Sequence, residues 1–459
     1  MGQYDALLTP LKIRNLVIRN RVLSTAHASG FGADGNPGER YQLYHEEKAK
    51  GGVGLTIFGG SSSVAIDSPG PMRQLYVGDD RIIPHFQSFA ARIHAHGAAL
   101  MCQLTHIGRK IGWDSGDWFW PMGPSALHEP LHRTFPKVME DWDIRRIVKA
   151  FGQAARRCKD GHLDGVEIMG AGSHLIDQFW SPLGNQRTDT YGGSLENRMR
   201  FGLDVLEEVR KQVGGNFIVG MKMSGDEMIE GGSTPDECLA IAATYAKSGL
   251  IDFIDVVAGT VNNYIHRARH IPGMWAPLAP YLAVASAIKA EVDLPIFHGS
   301  RVLDLASAAR AVEDGHVDMV GMTRPHFADP HLVAKLQAGR IDDVRQCVGA
   351  SYCNDRSSTG REIVCIQNAA TGKEAVLPHI VPKAPAKRTI VVIGAGPAGL
   401  EAARVSAERG HRVVLFESTD RTGGQINIAA RSGWRESLSG IPRWLDQQVQ
   451  KLGVEMRLG

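Results

Sequence analysis

Ile176-Asp-Gln-Phe-Trp-Ser-Pro-Leu-Gly-Asn-Gln-Arg-Thr-Asp-Thr-Tyr-Gly-Gly-Ser-Leu-Glu-Asn-Arg198 is a stretch that neither composition nor periodicity accounts for. It opens just past a short apolar run, Asp164–Ile168, and ends inside a helix-like segment, Leu195–Gln212. Outward from it the same alternation continues. Further strand-like runs are Arg21–Ala26, Val53–Phe58, Ala98–Leu104, Phe217–Met223, Phe253–Val257, Pro295–His298 and Asp318–Met322. Helical patterns lie between them at Arg81–His96, Ile144–Lys159, Pro235–Lys247 and Asp304–Glu313. Ser233-Thr-Pro-Asp-Glu supplies a hydroxyl cap, a proline and acids to a first helical turn. Eight strands alternating with helices predict an α/β fold, a (β/α)8 barrel over residues 1–340. A doubly wound open sheet is the alternative, and sheets of that width are less common.

The bulk numbers set limits. A chain of 459 residues has room for two or three domains. Hydrophobic residues at 43% and charged ones at 22% are ordinary for a globular protein. A net charge of +2 argues against a nucleic-acid binder. No basic-then-apolar leader opens the sequence and no apolar run approaches a membrane span, so the expectation is a cytoplasmic protein without a membrane partner. Six cysteines in so long a chain are no disulfide framework.

The opening stretch resembles the loop after the fourth strand in the Old Yellow Enzyme-like NADH:flavin oxidoreductases, barrels that move hydride through FMN. Other matching stretches are Asn20-Arg-Val-Leu-Ser-Thr-Ala-His27, Glu46-Glu-Lys-Ala-Lys-Gly-Gly-Val-Gly-Leu55 and Gly59-Gly-Ser-Ser-Ser-Val-Ala-Ile-Asp-Ser68. The similarity is greatest to the dimethylglycine and N-methylproline demethylase-like and trimethylamine dehydrogenase-like members, over nearly the whole chain. It implies FMN at the C-terminal ends of the strands, with Thr25 and Gly60 among its contacts. Gln103 ends strand three, where an amide that donates and accepts suits a flavin pyrimidine edge. Lys222 ends strand five, where a cation would stabilise anionic reduced flavin; the family usually has Arg. Gly299-Ser-Arg301 and Gly321-Met-Thr-Arg324 read as the phosphate cradle. Trimethylamine dehydrogenases bind FMN covalently through a Cys after the strand-one His; Ala28 stands there, which implies noncovalent FMN.

The substrate loop departs from the family. Where many relatives carry a His pair or His-Asn pair after strand four, this chain has Met169 and Gly172, and His174 stands where others carry a proton-donating Tyr. His174 is a candidate catalytic group. Trp113-Asp-Ser-Gly-Asp-Trp-Phe-Trp120 offers aromatic faces for an ammonium group, or a hydrophobic plug. His266-Arg-Ala-Arg-His270 follows strand six, so Arg267 or Arg269 could clamp a substrate carboxylate.

Two further motifs lie beyond the barrel. Cys347-Val-Gly-Ala-Ser-Tyr-Cys353 and Cys365 match a family pattern for a [4Fe–4S] cluster that has four cysteines; here Ala350 replaces the second. A Pro- and Lys-rich stretch, Leu377–Arg388, closes this segment, assigned to 341–386. Val391-Val-Ile-Gly-Ala-Gly-Pro-Ala-Gly-Leu400 then runs strand, glycine turn, helix, with Glu417 ending the next strand. Gly394, Gly396, Gly399 and Glu417 read as the pyrophosphate turn and ribose acid of a partial Rossmann-like FAD/NAD(P) domain over 387–459. The function implied is oxidative N-demethylation of a small N-methylated amine or amino acid, with an electron-transfer flavoprotein or NAD(P) as partner; a homo-oligomer is compatible with it. The alternative is an NAD(P)H-dependent ene-reductase of the 2,4-dienoyl-CoA type.

Overall fold

The computed structural model describes residues 2–69, 72–111 and 120–459. Eight parallel strands close into a barrel: β1 (Val22–Ser24), β2 (Leu55–Ser63), β3 (Ala99–Thr105), β4 (Gly165–Gly170), β5 (Ile218–Ser224), β6 (Phe253–Val257), β7 (Ile296–His298) and β8 (Met319–Gly321). Each pairs with its neighbours in chain order, and Val320 of β8 lies in register with Val22 of β1. That last pairing rules out the open sheet. β2 runs past its expected end because its register on β3 shifts between Phe58 and Ser62, which carries the strand out to the rim.

The expected helices form where their ends are capped. Pro235–Lys247 starts on Thr234, whose Oγ1 accepts from the Glu237 amide at 3.3 Å while the Glu237 carboxylate accepts from the Thr234 amide at 3.3 Å. Asp304 caps Leu305–Glu313 by accepting from the Ser307 amide at 2.8 Å. Asp143 carries the helix at Asp141–Asp160 back three residues beyond the apolar pattern, since its carboxylate accepts from the Glu140 amide at 3.0 Å.

Apolar residues at the strand starts fill the lower barrel. Leu23, Leu55, Ala99, Ile218 and Phe253 pack with Leu11, Ile13 and Ile18 of an N-terminal hairpin that plugs this end. Phe253 and Phe297 stack with centroids 4.4 Å apart. With one end plugged, the C-terminal end is the one open to ligands.

Past the barrel comes an irregular segment with one short helix, Tyr352–Ser358. A three-stranded parallel sheet follows: β9 (Thr389–Ile393), β10 (Arg412–Glu417) and β11 (Glu455–Leu458), in that order. Its helices Pro397–Glu408 and Gly440–Lys451 share a core with Val348 and Ala350 of the cysteine-bearing segment. The segment is also tied to this unit by Arg345, which bonds both oxygens of Glu401 at 3.1 Å and lies 4.3 Å over the Trp444 ring. Among the described residues no helix is long and apolar enough to cross a membrane.

Candidate active site

A cavity of about 280 Å³ opens at the C-terminal ends of the strands. It gathers Thr25, Gly60, Gln103, Lys222, Gly299, Arg301, Gly321 and Arg324, residues drawn from six barrel strands and their loops. The floor is a buried polar chain. The Gln103 Oε1 accepts from the Ser61 amide at 3.0 Å, and its Nε2 donates to Glu167 at 2.6 Å. Lys222 is ion-paired with Asp255 and stands 3.9 Å from Glu167. Burial opposes the Lys222 charge, but the Asp255 and Glu167 carboxylates outweigh it and raise the pKa. Two buried carboxyls thus share one ammonium. Burial drives the Glu167 pKa up to about 8. Lys222 pulls it down, while Asp255 raises it further.

Between the ordinary carboxyl pKa of about 4.3 and about 8, folded Glu167 keeps a proton that the unfolded chain has released. The folded state binds more protons there, so stability falls as pH rises through the window, by up to about 1.4 kcal/mol per pH unit. Denaturant titrations from pH 5 to 8.5 should show that slope and Glu167→Gln should flatten it. Equal slopes would take the proton off Glu167.

The phosphate end is built by close approach. A Cβ on Gly321 would lie 2.5 Å from Thr25 Cγ2, and one on Gly299 only 3.0 Å from the Gly321 Cα. Arg301 sits at φ +54° with its Nε bound to the Ala276 carbonyl at 2.7 Å, and its buried Nη1 has no partner among the described residues. Arg324 donates to the Pro272 carbonyl at 2.8 Å. A cradle without side chains, flanked by two guanidiniums with spare N–H groups, fits a phosphate monoester. With the Gln103 amide and the Lys222 cation on the floor, the set fits FMN.

Of the substrate candidates, Arg267 lines the cavity and donates to Asn354 Oδ1 at 3.3 Å. Arg269 is exposed and outside the lining. His174 is buried beside it, with Nδ1 2.7 Å from the Ala171 carbonyl and Nε2 3.0 Å from Ser61 Oγ. The carbonyl can only accept, so Nδ1 carries the proton and Nε2 takes the Ser61 hydroxyl. Burial lowers its pKa to about 3. In this state Nε2 has no proton to give, and the Nδ1 proton is held by the Ala171 carbonyl. Residues 112–119 of the aromatic cluster lie outside the described residues, and Trp120 is 74% exposed.

Cys347, Cys353 and Cys365 line a second cavity of about 30 Å³, and Cys353, Arg324 and Phe327 line both. Burial raises all three thiols, Cys353 to about 12 and Cys365 to about 11. The three thiols converge on one space, with Ala350 also on its wall. Among the described residues no three His, Cys, Asp or Glu side chains are placed to hold a single metal ion. In the C-terminal unit a Cβ on Gly399 would meet the Gly394 carbonyl at 1.8 Å, so helix and strand touch as the glycine turn requires. Glu417 accepts from the Ala395 amide at 2.7 Å and the Thr419 amide at 3.0 Å, and these donors hold its pKa low.

Reasoning from sequence missed Glu167, Asp255, His270, Thr323 and Asn354. The first two had a signal: a carboxylate inside an otherwise apolar strand. Thr323, whose Oγ1 lies 2.6 Å from Thr25 Oγ1, and Asn354 had none.

Residues 6–343 match the family model described as NADH:flavin oxidoreductase / NADH oxidase family. The chain belongs to that family. Residues 392–448 match an NAD(P)-binding Rossmann-like domain. The N,N-dimethylglycine/sarcosine dehydrogenase of Chromohalobacter salexigens is 50% identical over 99% of this chain and 66% of its own length. A probable N-methylproline demethylase of Rhizobium meliloti is 46% identical over 98% of this chain and 66% of its own length. The chain therefore spans a little under two thirds of these relatives. Among solved structures, a 2-naphthoyl-CoA reductase complex superposes with a TM-score of 0.94 at 30% identity, over 99% of this chain and 71% of that one.

Proposed function

We propose that this chain carries the flavin site of an FMN-dependent oxidoreductase that demethylates a small N-methylated amine or amino acid, giving formaldehyde and the shorter amine. The observation that carries the reading is Arg267 facing the same cavity as Gln103 and Lys222. A guanidinium above a flavin floor suits a substrate with a carboxylate next to its amine. The names of the two relatives support the same class. The superposed 2-naphthoyl-CoA reductase keeps the ene-reductase in view, but that chemistry needs a proton donor, and His174 presents none.

FMN, when bound, supplies the hydride acceptor. Gln103 and Lys222 would hold its pyrimidine edge and the Gly299–Gly321 cradle with Arg301 and Arg324 its phosphate. Arg267, steadied by Asn354, would hold the substrate carboxylate. The decisive experiment is anaerobic mixing of oxidised enzyme with N-methyl amino acids and, separately, enoyl-CoAs. Bleaching by an amine without NAD(P)H supports the demethylase; oxidation of NAD(P)H only with an enoyl-CoA supports the reductase. The flavin should leave the polypeptide on acid precipitation, because Ala28 offers no thiol; flavin pelleting with the protein contradicts this.

The three cysteines would hold three corners of a cubane cluster, which supplies one-electron carriage, and Ala350 leaves the fourth corner without a thiolate. Anaerobically purified protein should then contain about three to four irons per chain, and Ala350→Cys should slow iron loss in air. Iron near zero after anaerobic reconstitution marks the thiols as a remnant. The acceptor proposed for the electrons is an electron-transfer flavoprotein or NAD(P), the latter on the C-terminal unit.

A further inference from the structure

We propose that His270 recognises the substrate nitrogen, accepting a hydrogen bond from its N–H at Nε2, so that the site selects amines with a proton on nitrogen over quaternary ammonium compounds. The inference rests on the amine reading above and adds the residue that enforces it. His270 ends the helix Tyr264–His270 after β6 and lines the main cavity. Its Nδ1 lies 3.0 Å from the Ala258 carbonyl and 3.1 Å from the Gly259 carbonyl. Both oxygens can only accept, so Nδ1 carries the ring proton and Nε2 presents a lone pair.

Nothing nearby turns Nε2 into a donor. Burial opposes a second proton on the ring; the Ala258 carbonyl favours one, Lys110 opposes it, the Gly259 carbonyl favours it and Lys222 opposes it, and burial decides the balance, lowering the pKa to about 4. The same cavity is lined by the cations Arg267, Arg301 and Arg324, by the Cys353 thiol and by the Asp255 carboxylate, which is paired with Lys222, and His174 lies close to His270 as a neutral ring. Nε2 has no hydrogen-bond partner among the described residues. A lone pair facing a cavity matches a substrate donor and mismatches a carbonyl or carboxylate, which would meet two acceptors face to face.

Gly172 makes the arrangement work. A Cβ there would lie 3.5 Å from His270 Nε2 and 3.6 Å from His174 Nδ1. A large side chain after β4 would compete for the space that the His270 ring faces. The polar group beside Gly172 is thus supplied from the β6 side, by His270. The ring is held in place by the backbone rather than by a charged partner, so it stays an acceptor when substrate arrives.

The test uses holoenzyme reduced with dithionite under argon, which binds amines without turning them over. It is titrated calorimetrically with N,N-dimethylglycine and with trimethylglycine, or with N-methylproline and its N,N-dimethyl form if that amine is the one that bleaches oxidised flavin. A hydrogen bond to a charged group predicts about tenfold or tighter binding of the N–H form. His270→Leu should bring the ratio of the two affinities close to one. His270→Gln, whose side-chain carbonyl can accept, should keep part of it. A wild-type ratio near one, a ratio unchanged in His270→Leu, or an equal loss for both ligands overturns the proposal. Failure of every amine to bleach the oxidised flavin would overturn the demethylase reading itself, a separate observation made on wild-type enzyme.

Discussion

Lys222→Met should cost the protein about 3–5 kcal/mol of stability, the range for removing one partner of a buried ion pair. Asp255 is fully buried and Lys222 nearly so, and Lys222 is the cation paired with that carboxylate. The variant leaves Asp255 and Glu167 on the cavity floor without the Lys222 cation. A buried carboxylate left without its cation costs stability only while it is ionised. The deficit should therefore be small at pH 4–5 and grow as pH rises. Thermal melts at pH 5 and pH 8 check this, and Lys222→Met with Asp255→Asn should recover most of the loss. The double variant separates two roles. If Lys222 also stabilises reduced flavin, the midpoint potential should stay low in the double variant although stability returns. A potential equal to wild type would confine Lys222 to holding the barrel floor.

The barrel was legible because its signal is periodic and local. Each strand from Val22–Ser24 to Met319–Gly321 falls within two residues of an apolar run at its start, and the capping residues Thr234 and Asp304 fix two helix starts. Lys222 and Gln103, near the C-terminal ends of β5 and β3, were legible for a related reason, since polar residues there can face the open end, and Arg324 follows the end of β8. The pairing of Lys222 with Asp255 was not. It depends on which residues of adjacent strands share a level, and Asp255 stands opposite Lys222 only through the β5–β6 register. Arg267 and Arg269 were indistinguishable because their separation rests on how a seven-residue helix sits over the rim. The segment after residue 341 reads as a linker by composition. In the structure Cys353, Asn354 and Ser357 wall the main cavity, a contact made across more than 300 residues from Ala28, whose carbonyl accepts from Ser357 at 3.0 Å.

Arg267→Ala should lower kcat/KM on an N-methyl amino acid by roughly thirtyfold or more, since losing a partner from a buried charge pair costs about 2–5 kcal/mol. Arg269→Ala should change it little, because that side chain is exposed and outside the cavity. Arg267 is suited to the role by what it lacks as much as by where it lies. No carboxylate pairs with it among the described residues; its contact is the neutral Asn354 Oδ1 at 3.3 Å, and its Nε is buried without a partner. Burial lowers its pKa, with only partial relief from Tyr264 and Asp355. A guanidinium desolvated in this way gains most from an incoming anion. The effect should depend on the substrate: an N-methyl amine without a carboxylate should lose little in Arg267→Ala, and Asn354→Ala should give a smaller loss than Arg267→Ala on the amino acid alone. Equal losses on charged and uncharged amines would make Arg267 a support for the helix over the rim. No loss on any amine, with a loss on an enoyl-CoA, would transfer the residue to a CoA phosphate and the enzyme to the reductases.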